Sequence, residues 1–323
     1  MEINDSLNNG SLVISNGPYY EEPYRTFSIV VDALLILPAI VGNLIIVYFV
    51  SKSKELRNVG NYLVISLAFD DVFMGACILP YDIYVLYNTS LGQNKVLCLL
   101  RFVLHNMTGS NSIFNLFFIS LERYIAIIHP FNYNKIVTYP RLIAGIIAAR
   151  VYSLVMASVP LMGEHKWTPG VQCDPSRIWV TWYSYFCSLW VVFLISLTIF
   201  CYSRVIKVAF RHIDAVIKQK ASVDTEGDSD HKAEIRKTKM MALIFGLFLL
   251  YWSPFSLVLF FQRLYKESTV LAQAKCYSLT FIKSNCCINF IVYICRSKAF
   301  RKNLRCFCLS KVSPDSDDGT ALS

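Results

Sequence analysis

A lysine inside an apolar segment is the residue of this chain best suited to covalent chemistry. Lys283 ends the run Ser-Leu-Thr-Phe-Ile-Lys and precedes an Asn289-xxx-Tyr293 element by six residues. Removal from water disfavours charge on an amine, and the neutral amine is the nucleophile that condenses with a carbonyl group. The alternative is a lysine that extends toward the outer surface or pairs with a carboxylate for structural reasons.

A cationic nitrogen at Lys283 would need an anion nearby. The carboxylates in the first two apolar segments are Asp32, Asp70, Asp71 and Asp82. Asp82 follows Asp71 by eleven residues, which is about 16 Å toward the outer side at the rise of an α-helix. Lys283 lies about 9 Å above Asn289 on the same scale. These spacings favour Asp82 as the counterion and predict a much smaller role for Asp32. The alternative for Asp82 is a helix-end residue that is hydrated in the outer vestibule.

The composition places these residues in a membrane protein. The chain has 323 residues, of which 55% are hydrophobic and only 16% are charged, and its mean hydropathy is +0.45. Apolar segments of roughly the 20 residues that a helix needs to cross a bilayer recur along it. We predict an all-α fold, a seven-transmembrane helix bundle, with spans at 26–51, 60–87, 96–128, 140–163, 179–210, 239–263 and 270–295.

The distribution of basic residues predicts the orientation of the bundle. Lys and Arg concentrate after the first, third and fifth spans and in the C-terminal tail, so these segments are expected to be cytoplasmic. Residues 1–25 are then an extracellular tail, 26–295 the membrane domain, 296–308 a short amphipathic cytoplasmic helix and 309–323 a cytoplasmic tail. The net charge of +9 follows from this topology. We therefore expect contact with membrane lipid and no nucleic-acid partner.

Three kinds of covalent modification are predicted. Cys98 and Cys173 both lie at the outer side and are expected to form a disulfide. Cys306 and Cys308 follow the amphipathic segment just inside the membrane, where palmitoylation is expected. The outer asparagines in acceptor triplets for glycosylation are Asn4, Asn9 and Asn88.

The inner end of the third span carries a charged motif. The span ends in Glu122-Arg123-Tyr124, and Glu234 precedes the sixth span at a matching depth. An ion pair between Arg123 and Glu234 would join two helix ends, as a latch in a bundle with two states requires. The alternative is a local pair of charges at the membrane boundary.

Several motifs together resemble the rhodopsin-like G-protein-coupled receptors over residues 26–308. They are Asn43, Leu67-Ala68-xx-Asp71, Cys98, Glu122-Arg123-Tyr124, Tyr202, Trp252-Ser253-Pro254 and Asn289-xxx-Tyr293. The resemblance implies a multi-pass plasma-membrane receptor that couples to a heterotrimeric G protein, of the stimulatory class, with arrestin and a receptor kinase as further partners. The coupling residues that it implies are Glu122, Arg123, Tyr124, Phe131, Tyr202, Glu234 and Tyr293. Phe131 is expected to enter the G-protein α subunit, the alternative being packing on the membrane surface.

The seventh span resembles that of the opsins. The resemblance rests on Phe281-Ile282-Lys283-Ser284, Asn289, Tyr293, Lys298 and Arg301. It implies retinal as the cofactor, held by Lys283 as a Schiff base. The pocket residues that it implies are Trp252, Phe255, Phe248, Gly109, Asn106 and His105. The alternative for the aromatic residues is plain packing between helices.

Departures from the family pattern affect the counterion and the helix shapes. Arg101 occupies the counterion position of vertebrate visual opsins, and the loop before Cys173 lacks the acidic residue of many invertebrate opsins. A counterion in the second helix is similar to the arrangement of cnidarian-type opsins. Arg150 and Leu194 replace the usual Trp and Pro of the fourth and fifth spans. Phe290 follows Asn289 at the position where the family has a proline. A residue with a backbone N–H is thus restored there, which predicts a straighter seventh helix.

Two other classes of function are alternatives to a light receptor. A chemosensory receptor for a lipid, sterol or nucleoside would use Lys283 in an ion pair or to bind an anionic ligand. Amine binding is disfavoured, because His105 occupies the place of the amine-binding aspartate of related receptors. A transporter or channel would show inverted repeats or a polar pore pattern, and neither is visible. The sequence shows no catalytic motif or metal-ligand spacing, so no enzyme activity is predicted.

Overall fold

Long helices make up most of the described chain. The computed structural model describes residues 22–53, 59–88, 94–169, 173, 175–219, 227–265, 269–296, 300–302 and 304. The long helices in these residues are α1 Tyr24–Lys52, α2 Val59–Tyr87, α3 Lys95–Ile128, α4 Tyr139–Ser158, α5 Thr181–Gln219, α6 Gly227–Leu264, α7 Thr269–Lys283 and α8 Asn285–Arg296. Short helical turns lie at Pro130–Asn132, Tyr133–Ile136, Val159–Met162 and Pro175–Ile178.

The helices form the predicted seven-span bundle. The five helices from α1 to α5 contain segments that are long and apolar enough to cross a membrane, and α7 with α8 forms a sixth candidate span. The α6 helix contributes a shorter apolar stretch, Ala242–Val258. The predicted all-α seven-transmembrane class is thus confirmed. The boundaries predicted for the outer and inner tails fall largely outside the described residues.

The α3 helix occupies the centre of the bundle. It packs against α2, α4, α5 and α6, whereas α1 packs against α2, α7 and α8. Asn94 caps its N-terminus, because the side-chain oxygen accepts hydrogen bonds from the backbone N–H groups of Val96 and Leu97. Residues of α3 can therefore contact partners on four neighbouring helices, which places its polar side chains at the middle of the protein.

A π-helical turn interrupts α2 just before Asp82. The helix consists of an α segment Val59–Phe73, a π turn Met74–Ile78 and a second α segment Leu79–Tyr87. Pro80 lies at the start of the second segment and lacks a backbone donor, which is compatible with a local change of hydrogen bonding. The wider turn alters the rotation of everything after it about the helix axis. Asp82 therefore faces a direction that a regular helix drawn from Asp71 would not give.

The seventh span bends beside Lys283, not at Phe290. The α7 and α8 segments meet at an angle of 40° at Ser284, where Ser284 N–H and Cys287 N–H donate to carbonyls three residues earlier. As predicted, α8 continues without a break through Asn289 and Phe290. Phe290 lies so close to α1 that a Cβ atom on Gly42 would come within 2.7 Å of its ring. The seventh span is therefore unbroken at Phe290, and its bend lies instead at Ser284, where the hydrogen bonds span three residues and not four.

The start of the predicted amphipathic helix packs against the bundle. Residues 300–302 and 304 are helical, and the Phe300 side chain is buried. Its ring makes edge contacts with the rings of Phe49 and Phe290, with centroid distances of 5.2 and 6.4 Å. Phe300 thereby attaches this segment to both α1 and α8.

Candidate functional site

The amine of Lys283 lies between two carboxylates in the interior of the bundle. Its Nζ atom donates a hydrogen bond to Asp32 Oδ2 at 2.8 Å and lies 2.6 Å from Asp82 Oδ2. Asp32 comes from α1 and Asp82 from α2, and all three side chains are almost completely buried. Lys283 is the last residue of α7, where a cation is also favoured by the carbonyl ends of the helix. The pairing is therefore a three-helix ion cluster.

Two residues of α3 extend this cluster through Asp82. Arg101 Nε donates to Asp82 Oδ1 at 2.8 Å, and His105 Nε2 lies 3.1 Å from Asp82 Oδ2. The other ring nitrogen of His105, Nδ1, lies 2.9 Å from the carbonyl oxygen of Arg101. Both ring nitrogens of His105 thus lie next to oxygen atoms. One carboxylate, that of Asp82, thus faces three nitrogen-bearing side chains.

Hydroxyl groups form the part of the interface between α1 and α7 that lies nearest the N-terminus of α1. Tyr24 and Ser28 lie on the same face of α1 as Asp32, at intervals of four residues. The Tyr24 hydroxyl lies 3.3 Å from Thr280 Oγ1, and Ser28 Oγ lies 3.1 Å from the same atom. All three hydroxyl-bearing residues are buried. The ion cluster is therefore separated from the helix end by a hydrogen-bonded polar layer.

The structure corrects two expectations about Lys283. The small role predicted for Asp32 is wrong, because Asp32 contacts the amine as closely as a hydrogen bond allows. The expectation that burial leaves the amine neutral is also wrong, because two adjacent carboxylates stabilise the ammonium form and offset the cost of desolvation. Asp82 does contact Lys283, but it is not hydrated in an outer vestibule, because none of its surface is exposed.

The predicted pocket residues lie on α3 and α6. A Cβ atom on Gly109 would come within 3.2 Å of Trp252 Cη2, so the indole occupies the space that the glycine leaves. The rings of Phe248 and Trp252 lie 5.4 Å apart between centroids. Phe255 is half-buried, and the Asn106 amide nitrogen is buried with no hydrogen-bond partner in the described part of the chain. Gly109, Phe248 and Trp252 thus form one contact region, and their role in binding a ligand stays a prediction.

A second polar group connects α2 with α8. Asn289 Nδ2 donates to Asp71 Oδ2 at 2.7 Å. Asn43 Nδ2 donates at 2.9 Å to the carbonyl oxygens of Ala39 and Cys286, and the latter carbonyl lies in the first turn after the bend. These bonds join α1, α2 and α8 on the α8 side of the bend at Ser284.

Arg150, which departs from the family pattern, has a buried carboxylate as its partner. Its Nη1 atom lies 3.1 Å from Asp70 Oδ1, and its Nη2 atom donates to the carbonyl and hydroxyl oxygens of Ser66. Asn111 and Asn115 of α3 also donate to the Asp70 carboxylate, at 3.4 and 2.8 Å. Asp70 therefore joins α2 to α3 and α4, whereas its neighbour Asp71 joins α2 to α8.

We expect the replacement Arg150→Leu to destabilise the folded protein by about 3 kcal/mol, the lower end for a broken buried pair. The Asp70 carboxylate would keep its two amide donors but lose its cation. The double variant Asp70→Asn/Arg150→Leu removes both charges and should recover most of the loss. Thermal unfolding of the purified variants in detergent measures this. Equal unfolding midpoints for the single and double variants would contradict the pairing.

The opposite end of α3 carries the predicted coupling residues. Arg123 forms an ion pair with its neighbour Glu122, and the Tyr133 hydroxyl donates to Glu122 Oε1 at 2.6 Å. Tyr202 and Tyr293 are buried nearby in the main hydrophobic core. The local pair considered as an alternative is thus present. The Glu234 side chain lies outside the described residues, so the latch to Arg123 stays a prediction.

Two aromatic residues of the coupling set differ in exposure. The Phe131 side chain is 96% exposed, which leaves it free of contacts with the bundle. The Tyr124 ring instead contacts the rings of His129 and Phe200, at centroid distances of 5.8 and 6.4 Å. Phe131 is therefore available to a partner, whereas Tyr124 packs at the end of α3.

The predicted modification sites have different outcomes. Cys98 and Cys173 form the predicted disulfide, which lies one turn before Arg101 on α3; we call this the disulfide end of the bundle. Asn88 is exposed at the end of α2. The remaining predicted sites, Asn4, Asn9, Cys306 and Cys308, lie outside the described residues.

Comparison with known proteins places most of the chain in one family. Residues 42–293 match the family described as 7 transmembrane receptor (rhodopsin family). Similar proteins include the adenosine receptor A2a of Equus caballus, 28% identical over 319 residues that cover 91% of this chain and 76% of that receptor. The histamine H2 receptor of Homo sapiens is 27% identical, with 84% and 76% covered. The rhodopsin of Lethenteron camtschaticum is 26% identical, with 94% and 87% covered.

Proposed function

The chain belongs to the rhodopsin family of seven-transmembrane receptors, and on this premise we propose that it is a light-sensing receptor that carries retinal on Lys283. The observation that supports this proposal most strongly is the buried amine of Lys283 with carboxylates of α1 and α2 at 2.8 and 2.6 Å. Family membership implies a multi-pass membrane receptor that signals through G proteins, not an enzyme. Retinal as the chromophore goes beyond what family membership implies.

The residues around Lys283 have the chemistry that a retinal site needs. Lys283 supplies a primary amine for a Schiff base, and Asp32 and Asp82 supply negative charge next to it. The Asp32 Oδ1 atom is buried and accepts no hydrogen bond from the described residues, so it retains capacity for a further donor. A bound retinal would supply absorption of visible light and a change of shape on isomerisation. Trp252 and Gly109 are the residues proposed to contact its polyene.

The protein itself would hold the charge and exclude water. Burial of Lys283, Asp32 and Asp82 removes solvent screening, so each carboxylate acts strongly on the cation beside it. Arg101 and His105 fix the orientation of Asp82 from the α3 side. The α3 helix also carries Arg123 at its other end, about 33 Å away, so one rigid element links the proposed chromophore site to the coupling region.

The proposed partners act at the end of the bundle opposite the disulfide. We propose a stimulatory heterotrimeric G protein as the main partner, with Phe131 and the Arg123 region in contact with it, and arrestin and a receptor kinase as further partners. The proposed location is the plasma membrane with the N-terminus outside. The exposure of Phe131 supports a protein contact at this end.

Reconstitution with retinal tests the proposal. Protein incubated with retinal in the dark is expected to gain a band red-shifted from free retinal, and borohydride should then fix the chromophore to the Lys283 peptide. Lys283→Ala removes the amine and should abolish both signals. Lys275→Ala is the matched control, because Lys275 is a second buried lysine of α7. Identical spectra for wild type and Lys283→Ala would refute retinal attachment.

The ion cluster also favours a second candidate function. Lys283 is already paired with two carboxylates, as in a receptor whose lysine has a structural role, and similar proteins include adenosine and histamine receptors. Such a receptor would bind a lipid, sterol or nucleoside without a covalent bond. Retinal that remains attached after denaturation of the borohydride-treated protein supports the first function, and its complete release supports the second.

A further inference from the structure

We propose that Asp32 of α1 is the counterion of Lys283, and that Asp82 chiefly balances the guanidinium of Arg101 on α3. For the free amine this assignment needs only the geometry of the cluster. For a pigment it rests on the proposed function. The sequence favours the opposite assignment, with Asp82 as the counterion, because it indicates depth along the helices and does not show which cations share each carboxylate.

Asp82 has too many partners to serve Lys283 alone. Its Oδ1 atom accepts a hydrogen bond from Arg101 at 2.8 Å, and its Oδ2 atom lies 2.6 Å from Lys283 and 3.1 Å from His105. Arg101 is itself 4% exposed, so solvent cannot take the place of Asp82 beside its guanidinium. One unit of negative charge is thus divided among side chains of two helices. The distance of 2.6 Å to Lys283 does not measure how much of that charge Lys283 receives.

Asp32, in contrast, is directed to Lys283. Its Oδ2 atom accepts from Lys283 at 2.8 Å, and its Oδ1 atom has no hydrogen-bond partner in the described part of the chain. None of the Asp32 surface is exposed. A carboxylate buried in this way is stable in its charged form only beside a cation. Lys283 is the cation that the structure places there, so each member of this pair depends on the other.

The reactivity of the free amine tests the assignment without retinal. Full-length protein is treated in detergent at pH 8 with a small amine-acylating reagent, and labelling of the Lys283 peptide is followed by mass spectrometry. Asp32→Asn removes the counterion and is expected to raise the labelling rate of Lys283 at least about tenfold, which corresponds to 1.4 kcal/mol. The charge-balanced control Asp82→Asn/Arg101→Gln is expected to change it less than about threefold on the same scale. A larger increase in the control than in Asp32→Asn would overturn the proposal.

If Asp32→Asn folds poorly, the unfolding temperatures of two double variants test the assignment instead. The double variant Lys283→Met/Asp32→Asn removes the proposed pair and leaves Asp82 with Arg101. The double variant Lys283→Met/Asp82→Asn instead leaves Asp32 and Arg101 charged on α1 and α3, without the Asp82 carboxylate between them. We expect the first variant to unfold at a temperature several degrees above the second. The reverse order would show that Asp82 is the partner of Lys283.

The absorption spectrum of the retinal-bound protein provides a further test, which separates this inference from the proposed function. With retinal, Asp32→Asn is expected to move the dark band toward the ultraviolet at neutral pH, whereas Asp82→Asn/Arg101→Gln keeps it in the visible range. A visible band in Asp32→Asn and an ultraviolet band in the control would overturn the assignment. If wild type forms no pigment, the proposed function fails, and the labelling rates still decide between Asp32 and Asp82.

Discussion

The single replacement Asp82→Asn is expected to destabilise the retinal-free protein by about 3–5 kcal/mol, the range for removing one member of a buried ion pair. The asparagine keeps the shape of the side chain but removes the charge that faces Arg101, His105 and Lys283. Asp32 would then be the remaining carboxylate of the cluster, and the hydrogen bond that it accepts in the described part of the chain comes from the lysine. We expect low yield of folded protein and a large fall in the thermal unfolding temperature.

The double variant Asp82→Asn/Arg101→Gln is the matched control for this loss. It removes the anion together with its closest α3 cation, so most of the stability should return even though two residues are changed. Unfolding is followed by the fluorescence of a thiol-reactive dye or by size-exclusion chromatography after heating. If the double variant is less stable than Asp82→Asn, Arg101 contributes through packing of its aliphatic stem and not through its charge, and the division of charge in the cluster is refuted.

The helices could be predicted from the sequence because lipid imposes a simple rule on them. Each span needs a long apolar segment, and the apolar segments of this chain coincide with α1 to α5 and with the α7–α8 pair. The contact between Asp82 and Lys283 was predicted from depth alone, since helical rise is nearly constant. Depth along a helix is thus the part of the site that a single sequence indicates well.

The sequence could not predict in the same way which side chains of neighbouring helices face each other. Asp32 and Lys283 are 251 positions apart in the chain, and only the packing of α1 against α7 brings them together. The π turn at Met74–Ile78 changes the rotation of Asp82 about the α2 axis, and nothing in the apolar pattern indicates it. Arg101 is a cation and cannot itself be the counterion, but its contact with Asp82 is the reason that this carboxylate is shared. The signal available in the sequence is that Arg101, Arg150 and Lys283 lie within apolar segments of a chain that also carries Asp32, Asp70 and Asp82 in such segments.

Departures from the family pattern proved to be compensated by neighbours. Arg150 replaces an aromatic residue, and Asp70 supplies the carboxylate that makes its charge tolerable. Phe290 replaces a proline, and its ring lies against Gly42, where any Cβ atom would collide with it. Arg150 and Phe290 thus each have a partner on another helix. Such pairs show why a departure read alone is a weak guide to a loss of function.

Replacement of Arg123 by alanine is expected to abolish G-protein coupling, with at least a hundredfold loss of light- or ligand-induced signal, while the disulfide end of the bundle stays unchanged. Arg123 is buried beside Glu122 at the end of α3 opposite the disulfide, about 33 Å from Arg101. A guanidinium released from Glu122 can bind carbonyl groups of a partner, which alanine cannot do. Cyclic AMP and calcium are measured in cells that express equal surface amounts of each variant.

The control for this prediction is Lys52→Ala, which removes one positive charge from the exposed C-terminal end of α1. It should leave coupling within about twofold of wild type, because an exposed charge is screened by salt and contributes little. With retinal present, the dark spectra of both variants should equal that of wild type, since neither residue is near Lys283. A normal spectrum together with an undiminished signal from Arg123→Ala would show that coupling in this receptor runs through other residues of the inner surface, with exposed Phe131 as the first to replace.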